Sequence, residues 1–176
     1  MTNWIPTENR LGVVNLQGID STAVDNTSTN NRYPVGTIVR AYDATLGAGE
    51  FIYLQGVASL AVGNLVTYNP TTGAVTLSPN TAHLGQPVAV AMAANTSTSN
   101  YSWYQIEGAA VISKNATKIS PAVSVYQSAT AGEITGTAAS GKQVLNAVSL
   151  NSATVASATG TVSVQINRPF LQGQVI

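Results

Sequence analysis

The sequence predicts an all-β fold, a small β-barrel or β-sandwich built from a duplicated β unit behind an extended N-terminal arm. Three observations carry this. From residue 36 onward, short runs of β-branched and aromatic residues alternate with Gly, Pro, Asn and Thr turn signals. One pair of runs flanks a stretch with clear hairpin chemistry. Segments of the first half also reappear, in order, in the second half.

Residues 1–34 read as the arm. Pro6 and Pro34 bracket a stretch rich in Asn, Thr and Asp with no helical period, and Val13, Val14, Leu16 and Ile19 give it one candidate short strand. Residues 35–176 read as the β domain. Its first strands fall at 36–43 and 50–56. Strands at 65–68 and 74–77 flank residues 69–73, where Pro70 presets φ and Gly73 can take the positive φ that closes the turn. Residues 87–93 form a mostly buried strand of small side chains, and 95–100 a polar loop. Residues 101–112 form a long strand with Tyr101, Trp103 and Gln105 on one face and Ser102, Tyr104 and Ile106 on the other. Later strands fall near 123–126, 133–135, 143–150 and 161–167. Only at 144–153 does a short helix compete.

The internal likeness joins 53–58 to 105–110, 65–68 to 123–126, 73–76 to 132–135, 85–88 to 141–144 and 104–106 to 164–166. The offsets stay between roughly 50 and 60 residues, near the upper size of a repeat unit. The pseudo-repeats cover about 51–100 and 103–167.

Composition narrows the function. The chain has 176 residues, enough to bury a core without staples. Charged residues make up 8% and the net charge is +0. Nucleic-acid affinity comes mainly from Lys and Arg on phosphates, so no nucleic acid is expected as partner, and anionic lipid is disfavoured likewise. No apolar run is long enough to span a bilayer, so no membrane partner is expected. A surface of Ser, Thr, Asn, Gln and Gly repels its copies weakly, which suits packing in an assembly. Cysteine is absent, which removes disulfides and thiolate metal sites. The first residues show no basic segment followed by an apolar one, so synthesis in a cytoplasm without a secretory signal is the expectation.

The chemistry-bearing residues are sparse. His83 is the one histidine, and a Ser-His-Asp triad would need it, yet no Gly-x-Ser-x-Gly elbow exists. It reads as a loop or interface residue. The acids Glu8, Asp20, Asp25, Asp43, Glu50, Glu107 and Glu133 match no calcium-loop spacing. Asp43 and Glu50 flank one loop and could meet as a glycosidase pair. The reading preferred is that Asp43 caps the turn and Glu50 is solvated. No catalytic residue, cofactor or metal is assigned, and no enzyme is expected. Tyr101, Trp103 and Tyr104 could stack on a sugar, although filling the core is the favoured role. Trp4, Ile5 and Pro6, and Pro169, Phe170 and Leu171, lie in the terminal segments, where large apolar groups need a pocket in this subunit or a neighbour. With Tyr33 they make the candidate interface.

Several stretches resemble a known family. They are Tyr33-Pro-Val-Gly-Thr-Ile-Val-Arg-Ala-Tyr-Asp43, Gly49-Glu-Phe-Ile-Tyr-Leu-Gln-Gly-Val57, Gly63-Asn-Leu-Val-Thr-Tyr68 and Pro87-Val-Ala-Val90. Tyr101-Ser-Trp-Tyr-Gln-Ile-Glu-Gly108 and Gln165-Ile-Asn-Arg-Pro-Phe170 complete the set. Over roughly 33–170 the chain is similar to bacteriophage capsid decoration, or head cement, proteins. The resemblance implies a virion protein on the capsid exterior that bridges capsomers and contacts the major capsid protein through extended arms. It implies a homo-oligomer, with a trimer favoured, and no catalytic residues. A tail or baseplate component and a carbohydrate-binding β module are the alternatives.

Overall fold

The computed structural model describes residues 4–6, 27–28 and 33–174. Among these there is no helix, and twelve strands follow in chain order. The arm contributes β1 (Ile5–Pro6) and β2 (Thr27–Ser28). Then come β3 (Ile38–Asp43), β4 (Gly47–Gln55), β5 (Leu65–Tyr68), β6 (Val75–Leu77) and β7 (Val88–Ala91). The second half holds β8 (Tyr101–Lys114), β9 (Ser124–Gln127), β10 (Ile134–Thr135), β11 (Gln143–Ser149) and β12 (Gly160–Leu171). The candidate strand around Val13 to Ile19 lies outside the described residues. The segment where a helix competed is β11: Val144, Ala147 and Ser149 point inward and Val148 outward, a strand period broken once by a bulge.

Two small barrels share one long strand. β8 pairs with β12, β12 with β11, β11 with β9, β9 with β10, and β10 with β8, which closes a ring. The N-terminal half of β8 pairs with β4 and β7, β7 with β5, and β5 with β6. The Gln55 N–H donates to the Gly73 carbonyl at 3.1 Å and draws the open edges of this first ring together.

The pairings of the first barrel recur in the second at one offset. Adding 59 to both numbers of Gln55↔Tyr101 gives Lys114↔Gly160, and adding 59 to Phe51↔Gln105 gives Ala110↔Val164. The same shift carries Thr67↔Thr76 to Tyr126↔Thr135 and Tyr68↔Val75 to Gln127↔Ile134. Even the turn repeats. Asn69 Oδ1 accepts the Thr71 N–H at 2.8 Å, and Ser128 Oγ accepts the Thr130 N–H at 3.1 Å. Gly73 and Gly132 close these turns with φ of 71° and 79°. Against this register the likeness of 53–58 to 105–110 is out of step, because the structural partner of Gly49 is Gly108.

Three apolar clusters fill the molecule. The first barrel encloses Ile52, Leu54, Leu60, Val66, Val75, Ala89, Ala91, Tyr104 and Ile106. The second encloses residues of β8 to β12, and Leu65, Val88 and Val90 of the first barrel join it. β7 is therefore a wall buried on both faces, which accounts for its run of small and β-branched side chains. A third cluster lies on the other face of β3, β4 and β8, where Ala41, Phe51, Tyr53, Met92 and Trp103 are covered by Trp4.

β12 runs beyond its expected end at 167 and passes through Pro169. The ladder to β8 ends at Asn167↔Glu107, and on the β11 side the register skips from Ile166 to Phe170. No ladder bond is asked of the nitrogen that proline lacks.

Candidate functional site

His83 sits exposed in a loop with φ of 61°. Its N–H donates to the Gly141 carbonyl at 2.8 Å, and its Nδ1 lies 3.2 Å from the Gly173 carbonyl oxygen. It fastens loop to loop. Among the described residues no group of three or more His, Cys, Asp or Glu side chains is placed to hold a metal ion.

Asp43 caps its turn as expected: Oδ1 accepts the N–H groups of Thr45 and Leu46, both at 2.8 Å. Glu50 is a correction. It is not solvated, since its side chain keeps only 5% exposure. It is held between two guanidinium groups, with Arg40 Nε 2.6 Å from Oε1 and Arg168 Nη2 2.6 Å from Oε2. Burial alone would raise its pKa. The hydrogen bonds and charges of Arg40 and Arg168 outweigh burial and hold the carboxyl below its ordinary value. This triad ties β3, β4 and β12 at the junction of the barrels, beside an open cleft of about 340 Å³ lined by Arg40, Ala48, Glu50 and Glu107. Asp43 is committed to its turn and Glu50 to two arginines, so these two do not form a glycosidase pair.

Lys114 is a second buried charge absent from the sequence reading. Its Nζ donates to the carbonyls of Asn115, Thr117, Ala156 and Ala158 at 3.0, 2.9, 3.0 and 2.5 Å. Its counterpart in the first barrel, Gln55, donates from Nε2 to the Thr98 carbonyl at 2.7 Å. Both repeats thus use this position to clasp the loop at the same end of the barrel.

The aromatic trio forms no exposed platform. Trp103 and Tyr104 are buried, and Tyr101 stacks on Tyr53 at 5.9 Å. The Tyr104 hydroxyl donates to the Gln55 carbonyl at 3.1 Å, and burial pushes its pKa up to about 12.

The candidate interface residues divide. Trp4 has its pocket within its own chain, edge-on to Phe51 at 4.8 Å and against Gly49. Ile5 and Pro6 pair through their backbone with Tyr42 and Ala41 of β3. Tyr33 packs on Tyr53 and Trp103, Pro169 is buried, and Leu171 belongs to the second core. Of Trp4, Tyr33, Pro169, Phe170 and Leu171, Phe170 is the exposed one, at 41%.

Phe170 has apolar neighbours that the sequence reading did not single out. Leu145 lies opposite it on β11, with Val148 and Leu150 along the same outer face, exposed at 37%, 42% and 46%. The signal was present as alternation in 143–150, but the bulge at Asn146 breaks its period and hides which residues face outward. A second exposed set, Ile38 and Tyr42, lies on β3 beside the first barrel. No protein-family model matches the chain, and no curated protein matches it in sequence.

Proposed function

We propose that the chain is a structural virion protein that binds the outer surface of a bacteriophage head and stabilises contacts between capsomers. The observation that carries the reading is that exposed apolar side chains lie in separate places: Ile38 and Tyr42 on β3, Val62 and Val111 together, and Leu145, Val148, Leu150 and Phe170 on the second barrel. A bridging protein needs at least two contact surfaces, while a catalyst needs one pocket with reactive groups. The resemblance of residues 33–170 to capsid decoration proteins supplies the partner, the major capsid protein.

The mechanism is additive binding. Packed DNA pushes capsomers apart, and a protein seated across a junction stabilises the closed lattice by its binding free energy at every site. Self-association, as a trimer in this reading, multiplies the attachment points and adds avidity without new contact chemistry. The protein is made in the host cytoplasm and ends on the capsid exterior.

The test compares heads assembled with and without the protein under heating and osmotic shock. Undecorated heads should release DNA at lower temperature. Equal release from both would sink the proposal. Antibody labelling of intact particles separates a head position from a tail or baseplate one.

A further inference from the structure

Between β6 and β7 the chain crosses to the second barrel and lays a segment on one corner of it, where β9 ends and β11 begins. Gln127 Nε2 donates to the Pro79 carbonyl at 2.6 Å, and Lys142 Nζ donates to Asn80 Oδ1 at 2.5 Å. The His83 N–H donates to the Gly141 carbonyl at 2.8 Å. The His83 ring stands so close that a Cβ on Gly141 would fall 2.4 Å from it. Gln127, Gly141 and Lys142 thus hold residues 79–83 in place.

The first barrel has the same corner, and there it is open. The Tyr68 N–H donates to the Pro87 carbonyl at 3.2 Å, as the Gln127 N–H donates to the Lys142 carbonyl at 2.9 Å. The Asn69 N–H donates to the Ala74 carbonyl at 2.9 Å, as the Ser128 N–H donates to the Glu133 carbonyl at 3.1 Å. Tyr68, Gln86 and Pro87 therefore stand where Gln127, Gly141 and Lys142 stand. With Asn69, Ala74 and Thr76 they line a cleft of about 380 Å³. None of its lining side chains is charged. Arg168 acts on Tyr68 from beside the cleft, but it is paired with Glu50.

We propose that this cleft binds an extended, uncharged peptide segment of a partner protein, as its counterpart binds residues 79–83. The site goes beyond the proposed function and does not rest on it. The counterpart sets the chemistry of the occupant: a segment that offers backbone carbonyls and neutral polar side chains to the Tyr68 hydroxyl and the Gln86 amide. The described arm residues are anchored elsewhere. Trp4 and Tyr33 lie in the third cluster, Pro6 pairs with Ala41, and Thr27 pairs with Ser102. That face of β4 and β8 is turned away from the first barrel's interior, and β5 and β6 lie across that interior. Both anchors of residues 7–26 are therefore across the barrel from the cleft. The C-terminal strand bridges Phe170 to Pro87, bonds Leu171 to Gln86 and then sets Gly173 against Gly85, which leads away from the β5–β6 hairpin. A second copy holds its own residues 79–83 on its own second barrel.

Heteronuclear NMR titration of the isotopically labelled full chain tests this, with the end-capped peptide Ser78-Pro-Asn-Thr-Ala-His83 as probe and no heads present. The amide signals of Thr67, Tyr68, Asn69, Ala74 and Gln86 should shift, with half-saturation at or below about 1 mM peptide. Gln86→Ala and Ala74→Arg, both at exposed positions, should each weaken binding by about tenfold or more. Signals outside the cleft report that each variant keeps its fold. Lys142→Ala, on the occupied corner, should leave the affinity unchanged. Loss of binding in that variant would show the peptide displacing residues 79–83 from the second barrel, and overturns the proposal. Absence of shifts in the native chain overturns it, as does equal affinity in both cleft variants. A full chain with Val13, Val14, Leu16 and Ile19 changed to Ser that binds where the native chain does not assigns the cleft to the arm, and overturns the partner. Each of these failures leaves the capsid reading standing, because no head enters the measurement.

Discussion

At the scale of single residues, Glu50 joins parts of the chain that are far apart in sequence. Its partner Arg168 is 118 residues away, so no local pattern announces the pair. The folded carboxyl has a lowered pKa, so the unfolded chain takes up this proton at a higher pH than the folded one. The stabilisation is therefore complete above the ordinary Glu value and is lost as pH falls through the lowered one. Both arginines are more than half exposed and can rehydrate, which limits the loss. Glu50→Gln should cost about 1–3 kcal/mol near neutral pH. In thermal melts the gap between variant and native chain should narrow below about pH 4. A gap that is constant across that range would show that charge is not what Glu50 contributes. Lys114→Met removes four charged hydrogen bonds and takes the lysine donor from the Thr117 and Ala158 carbonyls, while Asn115 and Ala156 keep the backbone N–H groups of Thr117 and Ala158. Urea denaturation should show a loss of about 3 kcal/mol or more.

At the scale of elements, the arm is part of the fold where it is described. β1 pairs with β3, β2 with β8, and Trp4 closes the third apolar cluster. Trp4→Ala should cost about 3–5 kcal/mol in urea titration, as other buried aromatic truncations do. Gly49→Ala tests the same contact from the opposite side. Its Cβ would stand 3.1 Å from the Trp4 ring and 3.0 Å from the Glu107 carbonyl oxygen, so the indole must move. A variant as stable as the native chain would mean that Trp4 docking contributes little. The elements legible in sequence are those whose cause is local. The β5–β6 hairpin follows from Asn69, Pro70 and Gly73, β7 from its small apolar run, and the two faces of β8 from alternation. Trp4 in a pocket and Arg168 on Glu50 depend on strand neighbours that only the closed fold supplies. The repeat was legible as likeness but not in register, because Val-x-Tyr and Gly signals match at several offsets while hydrogen bonds match at one.

At the scale of the whole molecule, the question is whether two barrels make two folding units. They share β8, whose halves belong to different rings. They also share apolar cover, since Leu65, Val88 and Val90 of the first barrel complete the core of the second. Opening either barrel alone would leave the other with a bare wall and half a ladder. Arg168 on Glu50 adds a polar tie across the same junction. The chain should therefore unfold in one step. Its two tryptophans make this measurable, because Trp4 and Trp103 both lie in the cluster over the first barrel while circular dichroism reports every strand. Guanidinium titrations followed by fluorescence and by circular dichroism should superimpose. Val90→Ala, in the shared wall, should shift both curves together by about 1–2 kcal/mol. A fluorescence transition that precedes the dichroism would show the outer layer of the first barrel opening by itself, and would make the second barrel an independent domain.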